Sequence, residues 1–145
     1  AVTQVDYGRA WPDGDRCRIV IRISHLHGFN QPAQISTTAA LNIKENVHAE
    51  IIHCVLADNE VSFRVRGPGT RGGAHVIIND CAVYDSGLGV RAEDKIEVLR
   101  INGLRFGSGV QEQVRFVNGG PGAGVEIGPG APAPSLETLL KDGFR

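Results

Sequence analysis

Residues 16–24, Arg-Cys-Arg-Ile-Val-Ile-Arg-Ile-Ser, alternate between apolar and polar side chains with only Val20 out of step. Cys17, Ile19, Ile21 and Ile23 then face a core while Arg16, Arg18, Arg22 and Ser24 face water. A period of two excludes an amphipathic helix, whose apolar positions recur every three or four residues. The same alternation returns at residues 60–66, where Val61, Phe63 and Val65 oppose Ser62, Arg64 and Arg66. A chain built of such stretches folds as sheets with one dry face and one wet face.

The punctuation between these stretches reads as turns. Trp11-Pro12-Asp13-Gly14-Asp15 contains a proline that presets φ and a glycine that accepts positive φ, so it joins strands at 3–7 and 16–24. Residues 47–56 are rich in β-branched side chains and precede Ala57-Asp58-Asn59, which predicts a hairpin with 60–66. Asn102-Gly103 between apolar runs in 95–106 predicts another. Residues 75–78, 81–84 and 111–117 add further strands, 67–73 reads as a loop, 31–40 has no assignment, and no internal repeat is strong enough to use. The expectation is an all-β fold: an antiparallel β-sandwich or barrel of about eight short strands.

A chain of 145 residues fits one domain. The β domain is expected over 1–118, followed by an extended Gly/Pro-rich arm at 119–134 and a short helix at 135–145. Ser135 is placed to cap that helix, Glu137 to favour its first turn, and Leu136, Leu139 and Leu140 to share a face. The arm contains so little to bury that its ordering is expected to need a neighbouring subunit. Val125, Ile127, Leu136, Leu139, Leu140 and Phe144 are therefore the candidate partner-binding residues.

The candidates for chemistry are sparse. His25 and His27 share a strand face and would need a third ligand from His48, His53 or His75 to hold a metal. Gly67-Pro-Gly-Thr-Arg-Gly72 has dinucleotide-loop spacing, but the strand at 75–78 follows it where a helix would be required. Asp13, Asp15, Asp80 and Asp85 lack the spacing of a calcium loop and read as turn residues. Cys17, Cys54 and Cys81 show no CxxC spacing and read as core thiols. Asp85-Ser86-Gly87 is not a nucleophile elbow. Tyr7, Trp11 and Tyr84 suit the end of a β core, and Arg16, Arg18, Arg22, Arg64 and Arg66 suit solvent faces. No catalytic residue, metal or cofactor is expected.

A net charge of -1 gives no broad attraction for nucleic acid, and no apolar run is long enough for a membrane helix. The start Ala1-Val2-Thr3-Gln4 has neither the basic nor the apolar region of a signal peptide. Together these features lead to the expectation of a non-enzymatic structural protein. By architectural analogy it is a virion component, such as a bacteriophage capsid decoration protein assembled in the host cytoplasm. Its partners would be further copies of itself, as a trimer, and a capsid shell. The alternatives are a secreted or periplasmic carbohydrate-binding β-sandwich and, behind it, a small cupin-like metal enzyme using His25 and His27.

Overall fold

The alternation holds in the structure, but the strands it makes run parallel. The computed structural model describes residues 4–5, 17–30, 38–66, 73–119 and 121–142. Its strands are β1 (Gln4–Val5), β2 (Cys17–Arg22), β3 (His25–His27), β4 (Ala39–Ile43), β5 (Val47–Ile52), β6 (Val55–Val65) and β7 (His75–Asn79). They continue with β8 (Ala82–Ala92), β9 (Val98–Asn102), β10 (Arg105–Phe106), β11 (Glu112–Phe116), β12 (Val125–Ile127) and β13 (Ala131–Pro132), before the helix α1 (Leu136–Lys141). One sheet runs β12-β9-β7-β5-β2; the other runs β1-β4-β6-β8-β10-β13, with β3 added on β6 and β11 on β8. The chain winds between the two sheets as a β-solenoid of about four turns.

The antiparallel sandwich or barrel expected from the sequence is therefore corrected to a parallel solenoid. Parallel strands usually lie between two layers of helix and read as continuous apolar runs. Here the coil's interior buries one face and water wets the other, so the strands keep the two-residue period of an antiparallel sheet. The predicted hairpins fail for a related reason. Gly103, with φ 67°, turns the chain from β9 in one sheet to β10 in the other, so Asn102-Gly103 makes a corner. Residues 57–59 lie inside β6, where Asp58, φ 57°, kinks the strand without reversing it. Strands β1 and β2 belong to different sheets and are not neighbours, while the Trp11–Asp15 turn expected between them lies outside the described residues.

Rungs stack in register, and each core position becomes a column. Ile21, Ile51, Ile78, Ile101 and Ile127 are successive partners through five rungs. This is the internal repeat that the sequence reading missed. Two positions after the isoleucine, the first four rungs place a left-handed residue: Ile23 (φ 50°), His53 (φ 51°), Asp80 (φ 52°) and Gly103 (φ 67°). One main-chain bond per corner ties each rung to the next, from Ile23 N–H to Ile52 O (3.1 Å), His53 to Asn79 (3.0 Å) and Asp80 to Asn102 (2.9 Å). Full burial of each central isoleucine contributes about 1.5–3 kcal/mol, and Ile51 and Ile78 are fully buried. Ile19 and Ile21 face inward and Arg18 and Arg22 outward as expected, but Ile23 sits on the corner and is 56% exposed. No helix among the described residues is long and apolar enough to cross a membrane.

Candidate functional site

A column of core residues needs a neighbour above and below, so the last rung among the described residues exposes what earlier rungs bury. Leu41, Phe63 and Val90 are buried; the next member of their column, Val114, is half-buried. Ile43, Val65 and Ala92 are buried, and Phe116 above them is half-buried. In the opposite sheet Val125 is half-buried and Ile127 is 38% exposed. Val114, Phe116, Pro121, Val125 and Ile127 together line an open hollow of about 350 Å³. Among the described residues, β12 and β13 each pair on one side only, and β11 pairs only with β8. The end thus combines an apolar hollow with main-chain donors and acceptors in strand geometry, the combination that pairs with another chain.

Two of the sequence-predicted contact residues, Val125 and Ile127, lie at this end. Leu136 and Leu139 do not: they pack on an outward cluster of Val55, Ala57, Ala82 and Tyr84 on the side of the solenoid. Leu140 is exposed on the same helix, and Phe144 lies outside the described residues. The premise that the arm needs a neighbour to order it is also corrected. β12 pairs with β9, β13 with β10, Ala133 N–H donates to Phe106 O (3.1 Å), and the Tyr84 hydroxyl donates to Pro134 O (2.7 Å). A Gly/Pro-rich sequence orders here because it continues ladders already laid down by the rungs beneath it. Sequence reasoning missed Val114, Phe116 and Pro121; the signal that finds them is the isoleucine column, which reveals where stacking stops.

The residues considered for chemistry are scattered. His25 and His27 stack with ring centroids 4.4 Å apart on β3, and burial followed by the His27 charge lowers the His25 pKa. The suggested third ligands lie elsewhere: His53 on a corner, and His48 and His75 against each other on the other sheet. No group of three or more His, Cys, Asp or Glu among the described residues converges on a metal position. Cys17, Cys54 and Cys81 are free, and Cys54 and Cys81 face one another in the core. Cys54 Sγ donates to Ile21 O and Ile52 O and Cys81 Sγ to Ile51 O and Asn79 O, and the interaction between the two thiols lowers the Cys54 pKa and, with burial, raises that of Cys81. A shallow cleft of only about 20 Å³ beside α1 is lined by His53, Cys54, Val55, Asp80, Ala82, Arg105 and Leu139. Cys54 is 1% exposed and shares the inner core, so this cleft offers no accessible nucleophile.

A scan against protein-family models, a search of curated proteins and a search of solved structures each returned no match to this chain.

Proposed function

We propose that this chain is a non-enzymatic structural module that assembles with further copies of itself through the C-terminal end of its solenoid. The observation that carries this reading is the hollow formed by Val114, Phe116, Pro121, Val125 and Ile127 beside strands paired on one side. Covering it would remove apolar surface from water and satisfy edge donors at once. The biological setting we propose is a virion, where a module of this kind ties neighbouring shell subunits together. Parallel main-chain ladders joining every rung to the next support that setting, because they tie the whole coil into one continuous framework.

The test is mass in solution. Light scattering on the purified chain should give a multiple of the 15.5 kDa monomer, and Phe116→Asp with Ile127→Arg should return it to monomer with its β-sheet circular dichroism intact. A chain that is monomeric across the accessible concentration range would end the self-assembly reading. Mass spectrometry of purified particles that never finds the chain would end the virion reading separately.

A further inference from the structure

The outward face of the five-stranded sheet carries a second arrangement, unrelated to the open end. His48 on β5 and His75 on β7 are direct partners in the ladder, so their side chains project side by side from adjacent rungs. Their rings lie 4.5 Å apart between centroids, and the two Nδ1 atoms approach to 2.5 Å. The other nitrogen of His48, Nε2, lies 3.0 Å from Glu50 Oε1, and Glu50 in turn accepts from Arg18 Nη2 at 3.0 Å. An ionised carboxylate can only accept, so Nε2 of His48 carries the proton and Nδ1 presents a lone pair toward His75. The Arg18 guanidinium paired with the same oxygen keeps Glu50 an acceptor.

This is the environment that metal-binding histidines use: one ring nitrogen held by a carboxylate, the other free to donate electrons. We propose that His48 and His75 chelate a divalent transition ion of the imidazole-preferring class, Cu²⁺, Ni²⁺ or Zn²⁺, across two rungs, with water completing its coordination. Imidazole nitrogens at about 2.0–2.1 Å from a common ion require the two Nδ1 atoms to move apart by less than about 1 Å. Rotation of two partly exposed rings supplies that movement. Chelation moves the His75 proton from Nδ1 to Nε2 of the same ring and so frees both Nδ1 lone pairs; both rings must be neutral to bind, so binding weakens in acid. Glu50 acts as a positioning residue, since its oxygen contacts the far side of His48. An ion held there would tie β5 to β7 outside the core, and it would bind whether or not the end-to-end assembly exists.

The experiment uses the intact chain, titrated with Ni²⁺ and Cu²⁺ in a non-chelating buffer and followed by calorimetry, with electron paramagnetic resonance on the copper form. The expected result is one ion per chain, two coordinated nitrogens in the copper spectrum and a raised melting temperature. His75→Ala should abolish this binding, whereas Glu50→Gln should keep two nitrogens but weaken affinity about 10–100-fold. Both positions face outward, and circular dichroism checks that each variant folds. Absence of binding by the unsubstituted chain would overturn the proposal. Binding that survives His48→Ala with His75→Ala and disappears in His25→Ala with His27→Ala would also overturn it, by assigning the ion to β3.

Discussion

A single carboxylate, Glu93, gathers three guanidinium groups. Arg64 lies 2.7 Å away, Arg66 3.1 Å and Arg91 3.5 Å, and Glu93 itself is 8% exposed. The parallel register creates the cluster by stacking Arg64 on Arg91. Burial raises the Glu93 pKa, but the arginine hydrogen bonds and charges together outweigh it and leave the group below its ordinary 4.5. A depressed carboxylate contributes stability that is present above its unfolded value and lost as pH falls through the folded one. Urea melts should therefore weaken with acid from about pH 4.5 downward. Glu93→Gln should cost about 3–5 kcal/mol near neutral pH, because it leaves partly buried arginine charge uncompensated, and should flatten that acid limb. An unchanged acid limb would assign the pH dependence to other carboxylates. At the first corner the opposite outcome is expected. Ile23 holds φ 50° while 56% exposed, a β-branched residue in a conformation that costs L side chains about 1–2 kcal/mol. Ile23→Asn, which tolerates that conformation, should raise stability by about 1 kcal/mol in the same melts.

Among the elements, α1 is six residues long and has no stability of its own. Ser135 Oγ accepts from Thr138 N–H at 3.2 Å, Glu137 lies in the first turn, and Leu136 and Leu139 dock on the side of the solenoid. Leu139→Glu should release the helix, so that limited proteolysis cuts near Pro134 while the β signal stays unchanged; resistance to cleavage would mean the helix is held by something other than this contact. The helix was legible in the sequence because a cap and a leucine face are local signals. The strands were legible for the same reason, and Val125 and Ile127 were picked out at what is now the open end. Their parallel pairing was not legible, since one wet face and one dry face give the same period in either orientation. The corners mislead differently. Asp80 and Gly103 announce a turn, but Ile23 and His53 occupy the equivalent place with no local preference for it. Stacking decides their conformation, and stacking joins residues far apart in the chain. The repeat was further hidden by its unequal intervals and by a column that changes from Ser24 through Cys54 and Cys81 to Leu104.

At the scale of the whole molecule, each rung touches only the rungs beside it, so stability is a sum of neighbouring terms and falls toward the ends. Ile78 sits in the middle of its column and Ile127 at the top. Ile78→Ala should cost about 2–5 kcal/mol by opening a cavity, whereas Ile127→Ala in the isolated chain should cost under about 1 kcal/mol. Denaturant melts compare them directly, and equal losses would show that the end rung is welded into one cooperative unit. The isoleucine column has a consequence of another kind. Because one side chain per rung sets the stacking, the height of the molecule becomes a countable quantity, growing by about 4.8 Å for each rung. Duplicating or deleting a complete rung would place isoleucine on isoleucine again and leave both ends as they were. A lineage of such chains can thus be lengthened or shortened in whole steps, like a ruler cut at its graduations, without redesigning the surfaces that meet a partner.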